Sequence, residues 1–162
     1  MKKQILTLAL CVISMVAFSQ AQINEHALGL RLGAGNSFGT QISYQHGLSN
    51  YNRVECNLGI NSNNNGNGFN LSGIYQWVWN IEGGFNWYAG PAATIGSWSY
   101  KSGYDGSRHS GAYLGIGGQI GAEYNFSEIP ILVSIDTQPM IGFTDVYHPF
   151  NFGLALGLRY TF

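Results

Sequence analysis

The sequence predicts an all-β fold, a closed up-and-down antiparallel barrel of about eight strands that crosses a membrane. Segments of roughly ten residues alternate between apolar and small or polar side chains, the period of a strand with a different environment on each face. These segments match the about 9–11 residues that a tilted strand needs to cross a bilayer. The chain is 45% hydrophobic but only 9% charged, and ordinary soluble domains have about 25% charged residues.

The first 21 residues have the layout of a secretory signal peptide. Two lysines precede the apolar run Ile5–Phe18, and small residues follow it. The apolar run is shorter than the roughly 20 residues of a transmembrane helix. We expect cleavage after Ser19 or after Ala21, which leaves residues 22–162 as a single barrel domain.

Eight strands are predicted in the remaining chain, each from its alternation of large apolar and small or polar residues. In chain order, with the large side chains that we assign to the outer face, they are His26–Ala34 (Leu28, Leu30, Leu32), Gly39–His46 (Ile42, Tyr44), Asn52–Asn61 (Val54, Leu58, Ile60), Phe69–Ile81 (Phe69, Leu71, Tyr75, Trp77, Trp79), Phe85–Trp98 (Phe85, Trp87, Ile95), residues 113–126 (Leu114, Ile116, Ile120, Tyr124, Phe126), Ile131–Phe143 (Ile131, Val133, Ile135, Ile141) and Phe150–Phe162 (seven alternate residues). Pro91 and Pro139 interrupt two of these strands. Because proline cannot donate a ladder hydrogen bond, we expect a local bulge at each.

Apart from the first connection, Gly35–Phe38, which is short, the connections between the strands alternate in length. Short links follow the second, fourth and sixth strands, whereas longer polar links follow the third, fifth and seventh, namely Ser62–Gly68, Ser99–Ser110 and Thr144–Pro149. Outer-membrane barrels have short periplasmic turns and longer extracellular loops. The lengths therefore predict that both chain termini lie on the periplasmic side.

The C-terminal stretch alternates strictly and ends in phenylalanine, with Leu156, Leu158, Tyr160 and Phe162 on one face. With this stretch, the chain resembles the small eight-stranded bacterial outer-membrane barrels of the OmpA-transmembrane and OmpX type. The resemblance implies that these four residues form the signal read by the barrel-assembly machinery. It also implies a location in the outer membrane, in contact with outer-membrane lipid and lipopolysaccharide.

Aromatic residues flank the predicted turn Glu82–Gly84. Trp77, Trp79, Phe85 and Trp87 lie within a few residues of it. Membrane proteins place aromatic side chains at the bilayer–water interface. These four residues are therefore predicted to belong to an aromatic girdle.

Five charged residues fall on the small or polar face of the predicted strands and form a predicted interior cluster, which consists of Arg31, Glu55, Glu123, Asp136 and Arg159. The interior of an eight-stranded barrel is just wide enough for side chains to fill it. Buried charges without partners each cost several kcal/mol, so we expect the two arginines to be bridged by Glu123, Asp136 and Glu55. The preferred interpretation is a side-chain-filled lumen, and the alternative is a small-solute pore.

The four histidines are the candidates for an enzymatic site. His109 adjoins Ser110 and His148 lies in a predicted loop, so either could serve an outer-membrane lipid A-modifying hydrolase. No third group is placed to orient them, as a catalytic triad requires. His26 and His46 are too far apart in sequence to indicate a metal site by spacing, and without Cys11 the mature chain has only Cys56.

The sequence thus favours a non-enzymatic, monomeric outer-membrane barrel with a structural or surface-interaction role and without a cofactor or metal. Removal of Lys2 and Lys3 with the signal leaves five basic and eight acidic residues. Nucleic-acid binding through a basic surface is therefore not expected.

Overall fold

The computed structural model describes residues 23–35, 39–62, 66–100, 111–143 and 150–162. Eight barrel strands lie in these ranges, the last two each in two segments: β1 His26–Gly35, β2 Thr40–Gly47, β3 Asn52–Ser62, β4 Gly66–Glu82, β5 Phe85–Tyr100, β6 Gly111–Asn125, β7 Ile131–Thr137 with Met140–Gly142, and β8 Phe150–Asn151 with Gly153–Thr161. No helix in these ranges is long and apolar enough to cross a membrane.

Each strand pairs antiparallel with the next strand in the chain, and β8 returns to pair with β1. The closing pair runs from Ala27 opposite Thr161 to Gly35 opposite Gly153. The sheet therefore has no free edge, which is the condition for a β-structure in hydrocarbon. The predicted fold class, a closed antiparallel barrel of eight strands, is confirmed.

The prolines interrupt their ladders without producing bulges. On either side of Pro139, Ile120 faces Thr137 and Gly117 faces Met140, so both strands advance by the same number of residues. At Pro91 the pairing with Gly118 stays in register as well. The predicted bulges at Pro91 and Pro139 are wrong, because a missing N–H removes a hydrogen bond without adding a residue to one strand. Within the described strand pairs, the register shifts only between Asn80 and Glu82.

The strands extend further towards the long loops than predicted. β3 continues to Ser62 and pairs there with Asn67, and β5 continues to Tyr100 opposite Gly66. The backbone N–H and C=O groups of these paired residues continue to form hydrogen bonds beyond the apolar part of the outer surface. The connections in this part of the chain are consequently shorter than the sequence suggested.

The two faces of the sheet differ as the alternation predicted. Large apolar side chains on the outside are roughly half exposed, as in Leu30 at 50%, Ile42 at 53% and Leu156 at 57%. Polar side chains at alternate positions are almost completely buried inside, as in Ser43 and Asn57 at 0%. A soluble protein reverses this arrangement, whereas a barrel in lipid requires it.

Candidate functional site

Among the described residues, three ion pairs lie inside the barrel, and all six side chains are at most 3% exposed. The pairs are Arg31–Asp136, Arg53–Glu123 and Arg159–Glu55. Three arginines thus face three carboxylates, so that this cluster is electrically balanced. Each arginine presents a planar fork of N–H donors, which suits multiple acceptors in a confined space.

Arg31 and Asp136 come from β1 and β7. The Arg31 Nη2 donates to Asp136 Oδ1 at 2.5 Å, and its Nε lies 3.2 and 3.3 Å from the two carboxylate oxygens. The remaining fork nitrogen, Nη1, donates to Gln41 Oε1 at 2.6 Å. The Tyr88 hydroxyl donates to Asp136 Oδ2 at 3.2 Å. Both charges are therefore neutralised within the lumen.

Arg53 and Glu123 form a two-pronged pair between β3 and β6. The Arg53 Nη1 and Nη2 donate to the two Glu123 carboxylate oxygens at 2.9 and 2.6 Å. The guanidinium also lies over the Tyr88 ring, 4.9 Å from its centroid, and its Nε donates to Gln76. Parallel N–H···O bonds of this kind are among the stronger hydrogen bonds in proteins.

Arg159 and Glu55 join β8 to β3. The Arg159 Nη2 donates to Glu55 Oε2 at 3.2 Å, and its other two nitrogens donate to the hydroxyls of Ser43 and Ser134 at 2.9 and 2.8 Å. Glu55 also accepts hydrogen bonds from Gln45 at 2.7 Å. Each of these donors lowers the cost of burying a carboxylate.

Glutamine amides link the three pairs into one network. Gln119 donates to both Glu55 and Asp136, at 3.3 and 3.2 Å. Gln76 accepts from Arg53 and donates to Glu55 at 3.0 Å. All eight strands contribute a side chain to the network, which is listed in chain order as Arg31, Gln41, Ser43, Gln45, Arg53, Glu55, Asn57, Gln76, Asn86, Tyr88, Gln119, Glu123, Ser134, Asp136 and Arg159.

The structure places all five residues of the predicted interior cluster inside the barrel, but it pairs them differently. Glu123 binds Arg53 rather than Arg31 or Arg159. The expected bridge by Glu123 is therefore wrong. Arg53 lies beside the outward Val54, so the alternation of this strand also places it on the inner face, although it is not one of the five predicted cluster residues. Counting charges of each sign on that face would have found it, since two arginines cannot balance three carboxylates.

Two inward glycines provide the space that the charged side chains need. A Cβ at Gly157 would meet the Ser134 hydroxyl and the Arg159 guanidinium. A Cβ at Gly121 would lie 2.6 Å from the Asp136 Cβ and 2.7 Å from the Ile135 carbonyl oxygen. Small residues on the inner face thus alternate with the long side chains that fill the lumen.

The described residues before β1 cover the inner face at the short-turn end, where the last residue, Phe162, also lies. Ile23 packs against the buried residues Val78 and Tyr88. The Gly47 amide donates to the Glu25 carbonyl oxygen at 2.9 Å and holds this segment to β2. An apolar side chain therefore lies between the charged network and the end of the barrel.

The predicted assembly-signal residues all lie on the outer face of β8, where each is more than half exposed: Leu156, Leu158, Tyr160 and Phe162. The predicted girdle residues also face outward. Trp79 and Trp87 stack with ring centroids 4.2 Å apart, and Trp77 and Phe85 are 43% and 42% exposed. These four aromatic residues cluster near the short-turn end of the barrel.

Two histidines that are far apart in sequence are cross-strand partners. His26 on β1 faces His46 on β2, and their Nδ1 atoms are 3.3 Å apart. His109 and His148, the residues considered for a hydrolase, lie outside the described residues, as do residues 1–22 with the predicted signal peptide. Among the described residues, no group of three or more His, Cys, Asp or Glu side chains is arranged to hold a metal ion.

No protein-family model matches this sequence, and neither does any curated protein. Among solved structures, the crystal structure of Neisserial surface protein A matches 85% of this chain and 95% of its own, with a TM-score of 0.53 and 15% sequence identity. The chain has the fold of Neisserial surface protein A. The predicted resemblance to the small outer-membrane barrels is thereby confirmed for the fold.

The fold and the outer surface together indicate the location. A closed barrel that resembles Neisserial surface protein A and presents leucine and isoleucine outward is built to span a bilayer. Such barrels belong to the bacterial outer membrane. The predicted location is confirmed on this basis.

Proposed function

We propose that this protein is a non-enzymatic outer-membrane barrel whose lumen is closed to solutes and whose extracellular loops contact molecules outside the cell. The observation that carries the proposal is the ion-pair network, to which every strand contributes. A barrel that conducted solutes would need a hydrated path past these charges. In this network, the charged side chains form their hydrogen bonds with one another and with neighbouring polar side chains.

The energetics support a permanently closed lumen. Removing one member of a buried ion pair typically costs about 3–5 kcal/mol, because the other charge remains without a partner. Opening a path along the axis would separate Arg31 from Asp136 or Arg159 from Glu55. The barrel then serves as a rigid support, and the loops determine which molecules are bound, as is common where loops are held by a rigid fold.

Biogenesis and environment form part of the proposal. We infer export with a cleaved signal peptide, residues 1–21, and recognition of the Phe162 end of β8 by the barrel-assembly machinery. The mature protein would be a monomer in contact with outer-membrane lipid and lipopolysaccharide. The outward aromatic residues, Trp77 and Phe85 among them, support this environment, since such rings favour the bilayer interface.

Planar-bilayer recording tests the closed lumen. The mature protein, folded in detergent and inserted into bilayers, is expected to give no stable conductance steps. A matched variant with Arg159→Ala and Glu55→Ala keeps the charge balance while removing two large side chains, and we expect it to conduct. Reproducible steps from the unaltered protein would establish the pore instead.

Two further assays test the non-enzymatic role. The purified barrel is incubated with lipopolysaccharide, and acyl chain release is followed by mass spectrometry. Release that is lost in His109→Ala or His148→Ala would establish a hydrolase. Surface binding is tested by replacing residues 101–110 or 144–149 with short Gly–Ser linkers. We expect the variants to fold but to lose binding to cells or matrix components that the unaltered barrel binds.

A further inference from the structure

Four potential ligand atoms from two neighbouring stretches meet on the outside of the barrel at the short-turn end. The His26 Nδ1 lies 2.8 Å from the Tyr44 hydroxyl and 3.3 Å from the His46 Nδ1, and the latter lies 3.2 Å from the Glu25 carbonyl oxygen. We name these four residues the rim cluster. It does not touch the ion-pair network inside the lumen.

The backbone holds the rim cluster in place. His26 and His46 are opposite each other in the β1–β2 ladder, and Leu28 faces Tyr44 two residues further along. The His26 amide donates to the Phe162 carbonyl oxygen at 3.1 Å, and the Phe162 amide returns a hydrogen bond to His26 at 3.0 Å. The backbone that carries each imidazole is therefore held on both sides of His26, by β2 and by the chain end at Phe162, and at His46 by its pairing with β1.

The distance between the two imidazole nitrogens is compatible with a shared metal ion as well as with a hydrogen bond. Well-formed protein hydrogen bonds with N–H donors measure about 2.7–3.2 Å, and the nitrogens here are 3.3 Å apart. Two imidazole nitrogens on one tetrahedral Zn²⁺, each at about 2.0–2.1 Å, lie about 3.3 Å from each other. The two rings are stacked, with centroids 5.0 Å apart and an interplanar angle of 18°, so their Nδ1 atoms lie on neighbouring edges.

We propose that the rim cluster binds a divalent transition-metal ion of the zinc and copper type through His26 and His46, with Tyr44 and the Glu25 carbonyl oxygen as neighbouring oxygen donors. Imidazole suits both ions. The Glu25 carboxylate lies 3.8 Å from the His26 Nε2 and supplies negative charge on the other side of that ring. A carboxylate beside the second nitrogen is a common support for a metal-bound histidine.

A metal would replace an existing hydrogen-bond chain rather than fill an unsatisfied gap. The Tyr44 hydroxyl, the two Nδ1 atoms and the Glu25 carbonyl oxygen form a row of polar contacts. To bind the ion through Nδ1, each neutral imidazole carries its proton on Nε2, so a proton that was on Nδ1 moves to Nε2 of the same ring. A direct metal titration therefore distinguishes a metal site from a group of side chains that only form hydrogen bonds with each other.

The test is titration of the folded mature barrel in detergent micelles with Zn²⁺ alone and with Cu²⁺ alone. Calorimetry should show one ion per chain, and the electron paramagnetic resonance spectrum of the Cu²⁺ form should show two coordinated nitrogens. His26→Ala and His46→Gln should each weaken binding at least about tenfold, since each removes one of the two nitrogen donors. His46→Gln retains a polar side chain for the hydrogen-bond chain, and circular dichroism confirms that each variant is folded.

The matched control is the variant with His109→Ala and His148→Ala, which removes the other two histidines and should bind as the unaltered protein does. No binding to the unaltered barrel would overturn the proposal. So would binding that persists in His46→Gln, or binding that is lost only in the loop-histidine variant. Each of these results would leave the closed-lumen proposal unaffected, because the rim cluster lies outside the lumen.

Discussion

The Arg31 guanidinium on β1 reaches the Asp136 carboxylate on β7 by passing over β8, which lies between them in the sheet. On its inner face β8 presents only Ala155 and Gly157 at this height, and these residues are the ladder partners of Asp136 and Arg31. Small residues on one strand thus allow the two flanking strands to be joined by an ion pair.

A double-mutant cycle should measure this ion pair. Arg31→Leu or Asp136→Leu alone is expected to destabilise the barrel by about 3–5 kcal/mol, because each leaves a buried charge. The double variant should cost less than the sum, with a coupling of about 0.5–3 kcal/mol. Urea unfolding in micelles, followed by tryptophan fluorescence, gives the free energies. A parallel cycle with Arg53 and Asp136, which do not pair, should show less coupling, and equal values in the two cycles would contradict the assigned pairs.

Two glycine substitutions should differ in their effect on stability, because one lies on the crowded inner face and the other on the open outer face. Gly121→Ala places a Cβ 2.6 Å from the Asp136 Cβ and should destabilise by about 1–3 kcal/mol, as overpacking does. Gly73→Ala points outward, where a Cβ meets nothing within 4 Å, and should leave stability unchanged or slightly raised. The same unfolding experiment compares them. If both variants were equally stable, the inner face would not be packed as described.

Charge on the lipid face should be harmful in a way that a polar change on the inner face is not. Leu156 is 57% exposed to the membrane and Ala155 is 1% exposed. Leu156→Arg is expected to cost about 2–4 kcal/mol near the bilayer midplane, whereas Ala155→Ser should have a small effect. The yield of heat-modifiable barrel in the membrane fraction reports the difference. Equal tolerance would contradict the orientation of β8.

Loss of the terminal aromatic residue should impair assembly. Deletion of Phe162 removes both an outward ring and the backbone hydrogen bonds that join it to His26. We expect the chain to be exported but degraded before it reaches the membrane, as measured by pulse-chase and fractionation. Phe162→Trp keeps the backbone and an aromatic ring and serves as the control. Normal yield from the deletion variant would show that the assembly signal lies elsewhere.

Alternation along each strand made the faces of the barrel predictable, since successive side chains must point to opposite sides. Arg31, Glu55 and Arg159 could be assigned to the inner face from sequence for this reason. Which charged side chains meet across the lumen depends on the register of all eight strands relative to one another. The alternation within a single strand does not determine that register. The pairing of Glu123 with Arg53 was missed on that account.

The rim cluster was hidden from the sequence for a related reason. His26 and His46 belong to different strands, and a two-residue contact across a ladder depends on register rather than on sequence spacing. At Pro139, in contrast, the predicted bulge does not follow from the proline alone. A strand that loses one ladder hydrogen bond can keep its register when its neighbours remain paired on both sides.

The ion pairs also determine when the barrel becomes compatible with lipid. Arg31 and Asp136 are 105 residues apart, and Arg159 and Glu55 are 104 apart, so neither pair can form until nearly the whole chain has been delivered. A sheet that stops short of closure exposes unneutralised arginines and carboxylates together with free strand edges, and hydrocarbon excludes both. The membrane is therefore a poor solvent for truncated or half-folded copies, and closure of the barrel is coupled to its compatibility with lipid.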